Sequence, residues 1–248
     1  MIYVEYLRVR SSLVWHAGIL ALLVLVLFFN HDSTVTVNGH RSITSGLALS
    51  LGVLVPIATF FAAIYASSVG ASLNRESSTR DISWTKPIPR TVLALQFVLL
   101  DLAGVTITFA IAMVAVVIVV MRVGAIPVVD ASLVPQVLLG LGVAAMWYAL
   151  IQVLTFWFGS GARAVGGILW PVALVALGVA SIPGVYGAVA RTFDVINPLA
   201  YISFSGNAAS GHGESLWTMP VESRTVIVWL FATVFCAIAV TMWPRKEA

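Results

Sequence analysis

The sequence predicts an all-α integral membrane protein with six transmembrane helices in a single domain spanning residues 1–248. Three observations predict it. Only 9% of the residues are charged and 60% are hydrophobic, with a mean hydropathy of +1.02, whereas a soluble domain carries roughly a quarter charged residues to cover its surface. A soluble enzyme is excluded on that ground. The charges are also spaced: 21 uncharged residues separate Arg10 from Asp32, 33 separate Arg41 from Arg75, 32 separate Asp130 from Arg163, 27 separate Arg163 from Arg191 and 20 separate Arg224 from Arg245. A sixth window, the 31 residues between Arg90 and Arg122, holds one acid, Asp101. Each window accommodates the roughly 20 apolar residues that cross about 30 Å of hydrocarbon as a helix. Finally, the basic residues sort by side. With both termini cytoplasmic, Arg8, Arg10, Arg75, Arg80, Lys86, Arg90, Arg163, Arg245 and Lys246 fall inside, and only Arg41, Arg122, Arg191 and Arg224 fall outside, the bias of the positive-inside rule.

The elements follow in order. Residues 1–12 set Ile2, Tyr3, Tyr6, Leu7 and Val9 against Glu5, Arg8 and Arg10, a pattern that suits a short amphipathic helix lying on the cytoplasmic leaflet. Span one, 13–29, is longer than the apolar core of about 7 to 15 residues in a signal peptide and closes on Phe28-Phe29-Asn30, so it is expected to be retained. Span two, 43–70, contains Pro56 and a row of small residues, Ala58, Ala62, Ala66 and Gly70, which lets a neighbouring helix come close. Span three, 91–121, would be about 46 Å long and must tilt or project from the bilayer. Spans four, 133–158, and five, 164–182, are joined by a short turn at 159–163 and form an antiparallel hairpin. Span six, 225–243, carries the single cysteine, Cys236, so no disulfide forms within the chain. Phe156-Trp157-Phe158 and Trp243 mark span borders as interfacial aromatics do.

Two connections exceed plain turns. The outer segment 183–224 has enough apolar residues, among them Tyr186, Phe193, Leu199, Tyr201 and Trp217, to form short helices resting at the outer interface. The cytoplasmic segment 71–90 concentrates charge.

The chemistry offered by the side chains is sparse. There is no G-x-x-x-x-G-K-[ST], and the only lysines are Lys86 and Lys246, so this chain does not cradle ATP in a P-loop. No H-E-x-x-H suggests a zinc protease. Ser160 in Gly159-Ser160-Gly161 and the histidine that would activate it, His212, are expected on opposite sides of the bilayer, far beyond hydrogen-bond reach. The outer His31, His40 and His212 lack the i, i+4 spacing of a metal site, and none is assigned. The basic residues flank spans instead of clustering on a soluble face, so no nucleic acid partner is expected. Asp101 stands out. A carboxylate facing lipid near a helix centre costs about 2.5 to 3.5 kcal/mol on insertion scales, so it should face the bundle or water. It is a candidate contact in a translocation path or proton relay; the alternative is a structural hydrogen bond to Ser, Thr or Gln of a neighbouring span, or hydration.

The segment from Arg75 to Arg90 reads Arg75-Glu76-Ser77-Ser78-Thr79-Arg80-Asp81-Ile82-Ser83-Trp84-Thr85-Lys86-Pro87-Ile88-Pro89-Arg90. It resembles the cytoplasmic segment of ABC-2 type transporter permeases, in which an Arg-Glu pair precedes a Thr, an acid, apolar positions and a Pro-x-x-Arg at the next membrane helix. Arg75-Glu76, Thr79, Asp81, Ile82 and Pro87-Ile88-Pro89-Arg90 match in order and spacing, while Ser78 replaces the usual Gly and Arg80 an apolar residue. Asn197-Pro198-Leu199 in the outer segment is also similar to the family pattern. The resemblance implies a bacterial or archaeal plasma-membrane permease subunit of an exporter, with both termini cytoplasmic. It would work as a dimer with a second copy or paralogue, and would hold no cofactor itself, ATP and Mg being bound by separate ATPase subunits. A coupling helix around Arg75 to Trp84, with Arg75, Glu76, Thr79, Arg80, Asp81, Ile82, Trp84 and Arg90, would contact those subunits. The other classes open to the sequence are an ion-coupled carrier or channel and a noncatalytic accessory or immunity protein. A membrane enzyme lacks a convergent reactive group.

Overall fold

The computed structural model describes residues 2–30, 34–37, 40–43, 48–74, 89–122, 124–158, 162–180, 189, 192–202 and 219–246. Its long elements are the helices α1 (Ile2–Asn30), α2 (Val55–Val69), α3 (Arg90–Arg122), α4 (Leu133–Phe158), α5 (Ala162–Ala180) and α6 (Val221–Lys246). The chain is mostly helical, and among the described residues five segments are long and apolar enough to cross a membrane: Tyr6–Val26, Leu51–Val69, Thr91–Arg122, Leu133–Trp157 and Val221–Trp243. Several such helices in one chain are those of a multi-pass membrane protein. The apolar part of α5, Ala164–Val179, is shorter.

Helices α2 and α4 are the buried centre. The row Ala58, Ala62 and Ala66 on α2 is fully buried, so the small residues serve close packing, and α4 brings Val143, Trp147 and Ile151 into the same core. Around this pair, α3 lies between α1 and α2, while α6 and α5 pack on α4. Gly142 is what admits α6: a Cβ there would sit 2.9 Å from Trp229 Nε1 and 3.0 Å from a Val228 methyl. With no side chain in the way, Trp229 Nε1 donates to the Leu138 carbonyl at 3.0 Å. Much of the apolar surface of α1, α3 and α6 remains exposed, including Trp15, Leu22, Leu99, Val114, Val226 and Leu230. Such faces are solvated by hydrocarbon in a bilayer.

Helix ends follow local chemistry. Beyond α3, Gly124 adopts φ 85° and donates to Met121 O at 3.1 Å, while Ala125 donates to Val120 O at 3.2 Å, a Schellman closure that a left-handed glycine permits. At 33 residues α3 spans about 50 Å, consistent with the overlong span read from sequence. Helix α4 is opened by Asp130, whose Oδ1 accepts from Ser132 N at 3.0 Å and Ser132 Oγ at 2.6 Å. These bonds hold the exposed Asp130 carboxyl below its ordinary range, the Ser132 hydroxyl contributing most and Ser50 next.

Three expectations change. The amphipathic segment and span one are a single helix, Ile2–Asn30; no Gly or Pro interrupts residues 2–17 to turn the chain onto a leaflet. Span two begins later than expected. Strands β1 (Thr34–Val37) and β2 (His40–Ile43) form an antiparallel hairpin, and β3 (Ala48–Ser50) pairs in parallel with β4 (Ile126–Val128). A 3-10 turn, Leu51–Leu54, then leads into α2, which puts Pro56 in the first helical turn, where a missing N–H breaks no helical bond, instead of inside the span. Third, part of the outer segment is packed into the bundle, while Phe193, Val195 and Ile196 of the same segment stay exposed. The 3-10 turn Pro198–Tyr201 is buried, with Leu199 and Tyr201 in the core.

Candidate functional site

Asp101 is fully buried on α3, about 16 Å along the helix from Arg90. Its two oxygens face different helices. Oδ1 pairs with Arg8 Nη2 of α1, and Oδ2 accepts from Tyr148 OH of α4 at 3.0 Å. One turn on, Gln152 Nε2 donates to Tyr148 OH at 2.8 Å and to Ser72 Oγ at 2.7 Å. Ser72 lies in the short turn that closes α2. Four of the helical elements thus meet in one polar chain, near the end of the bundle where α1 and α3 begin and α2 and α4 end.

Neighbouring polar contacts tie α1, α2, α4 and α5 together. Ser67 of α2 accepts from Trp147 Nε1 at 2.7 Å and Trp170 Nε1 at 3.0 Å, and the two indoles lie 4.5 Å apart. Ser12 and Ser68 place their hydroxyl oxygens 3.2 Å apart between α1 and α2. His16 bonds the Ser12 carbonyl at 2.8 Å and packs edge-on against Tyr65.

The opposite end has its own polar group. Asn197 Oδ1 accepts from Leu199 N at 3.2 Å, and its Nδ2 donates to Ala173 O of α5 at 3.1 Å. Arg224 of α6 donates to Tyr201 O at 3.1 Å, and Tyr201 OH donates to Val195 O at 2.7 Å. Burial raises the Asp194 carboxyl against the opposing Asn197 hydrogen bond. Burial, then the nearby Asp194 charge, pushes the Tyr201 phenol up to about 12. Asn197-Pro198-Leu199 thereby acts as a cap and tether of a buried turn.

Asp101 faces the bundle, as the cost of exposing it to lipid requires. Its contacts fit a structural role more closely than an open path, although the partners are Arg8 and Tyr148 instead of a Ser, Thr or Gln. Gln152 and Ser72 stand one and two steps further along. Arg8 is the partner that sequence reasoning missed, because it was placed on the leaflet surface; a buried acid that lacks a counter-ion in its own span was the available signal. Arg75, Glu76, Thr79, Arg80, Asp81, Ile82 and Trp84, and with them the coupling helix, lie outside the described residues. So do Ser160, His31 and His212. Arg90 opens α3. Among the described residues no group of three or more His, Cys, Asp or Glu side chains could hold a metal.

Comparison with family models, curated proteins and solved structures finds no match for this chain. The functional reading therefore rests on its own residues.

Proposed function

We propose that this chain is the permease subunit of an ATP-binding cassette exporter of the ABC-2 type, acting as a dimer and driven by separate ATPase subunits that bind ATP and Mg. The observation that carries the reading is the patterned segment from Arg75-Glu76 through Pro87-Ile88-Pro89-Arg90, inserted between α2 and α3. Its setting supports the reading. α2 closes at Val69 and α3 starts at Arg90, so the charged residues are carried between two packed helices at the end of the bundle where α1 begins. The expectation that nine of the thirteen basic residues lie on the side of the N-terminus supports a cytoplasmic assignment for that end. In this reading α5 is the fifth of six spans: 19 residues reach about 28 Å, enough for an untilted crossing.

ATP binding in the partner subunits would move the 75–88 segment, and the bundle would follow only if its two states differ in their contacts with that segment. The test is co-purification of an ATP-binding cassette ATPase with the chain from native membranes. Wild-type protein is expected to retain the ATPase, and Arg75→Glu or Glu76→Arg to lose it while remaining folded. Full retention by both variants would remove this surface from the account.

A further inference from the structure

We infer that Ser72, Gln152, Tyr148, Asp101 and Arg8 form one oriented hydrogen-bond chain through which the turn after α2 sets the position of α1. The orientation follows from counting protons. Tyr148 has a single hydroxyl hydrogen, and the ion-paired Asp101 carboxylate can only accept, so that hydrogen is committed to Oδ2. The atom of Gln152 facing the Tyr148 oxygen must then be the donor nitrogen, which places its second amide hydrogen on Ser72 Oγ. From Gln152 one proton runs through Tyr148 toward the carboxylate and the other runs outward to Ser72, and Arg8 closes the chain from the other side. Moving Ser72 strands an amide hydrogen at Gln152 in a buried site, and a stranded buried donor costs the desolvation it no longer recovers. The chain therefore resists separate motion of its two ends.

Helix α1 is the element with most to gain from such a link. Among its described apolar side chains only Val9 and Leu20 are buried, while Tyr6, Leu7, Val14, Trp15 and Ile19 are exposed. Few of its side chains are buried, and the Arg8–Asp101 pair is a charged tie between it and α3. Ser72 is three residues before Arg75, so whatever displaces the segment beginning there displaces the root of the chain. On the proposed function that displacement would come from the ATPase. The link itself rests on contacts within this chain, and its test uses the chain alone, so the two readings fail separately.

The Ser12 and Ser68 oxygens, 3.2 Å apart across α1 and α2, provide the readout. In full-length protein carrying Cys236→Ser, Ser12→Cys and Ser68→Cys, reconstituted in lipid nanodiscs, the initial rate of oxidative cross-linking reports whether α1 is in place. Gln152→Leu touches neither cysteine nor Arg8, yet it is expected to lower that rate by about threefold or more, as Arg8→Met does, and the two changes together should fall short of the product of their separate effects. Tyr148→Phe, which deletes one hydroxyl and keeps the ring, should do the same. A wild-type rate in both Gln152→Leu and Tyr148→Phe would overturn the inference, as would effects of Gln152→Leu and Arg8→Met that multiply independently.

Discussion

Removing one partner of the Arg8–Asp101 pair should cost far more than removing both. Asp101 is completely buried and the Arg8 side chain is 19% exposed, so neither charge recovers much hydration in place. Breaking a buried pair from one side typically costs about 3–5 kcal/mol, whereas replacing both members with apolar residues is often neutral or better. Arg8→Met and Asp101→Leu are each expected to lose about 3–5 kcal/mol. In the double variant the Tyr148 hydroxyl is left without its carboxylate, a loss of about 1–3 kcal/mol. The double variant should thus be more stable than either single one. Reversible unfolding in mixed detergent and SDS micelles, followed by helical circular dichroism, measures all four corners of the cycle. Single losses that simply add in the double variant would refute the coupling, as would single variants within about 0.5 kcal/mol of wild type, the range of an ordinary surface change.

Three further outcomes are expected. Gly142→Leu should drive α6 off α4 at Trp229 and cost about 1–3 kcal/mol by overpacking, visible as a lower unfolding midpoint; an unchanged midpoint would mean that the close approach is absent. Asn197→Ala removes both a cap and the bond to Ala173, a loss of about 1–3 kcal/mol, and proteolysis near residue 197 should accelerate; a wild-type digestion rate would argue that the turn is held by Leu199 and Tyr201 alone. The depressed Asp130 carboxyl stabilises the fold above its ordinary value of 3.8, and that contribution is lost as pH falls through its lower folded value. Wild type should accordingly lose stability to acid more steeply than Asp130→Asn below pH 3.8, and parallel acid profiles would contradict this.

Helix boundaries were most legible where charges bracket a run. α3 and α4 lie within a residue of their expected limits because Arg90, Arg122 and Asp130 stand at their ends. The N-terminal region misled because its polar face looks interfacial when read alone; Arg8 has a use only once α3 brings Asp101 beside it, and that pairing across 93 residues leaves no local trace. The β1–β2 hairpin did have one: Asn38-Gly39 lies between the paired Val37 and His40, a dipeptide favoured in two-residue turns, obscured by the apolar run that follows it. The outer segment was read as interfacial from its composition. Composition alone does not distinguish an aromatic that floats at a boundary from one that, like Tyr201, is buried with its hydroxyl bonded to a backbone carbonyl. Tyr148 and Gln152 were unremarkable in sequence for a related reason: their i, i+4 spacing gains chemical meaning only from the carboxylate on a different helix.

The most direct test of the proposed function is ATP hydrolysis in proteoliposomes by the ATPase subunit that the proposal calls for, measured alone, with the wild-type chain and with Glu76→Arg. The account predicts that the wild-type chain binds the ATPase and changes its turnover, and that Glu76→Arg abolishes the change while leaving the bundle folded. A turnover indifferent to the wild-type chain would contradict it.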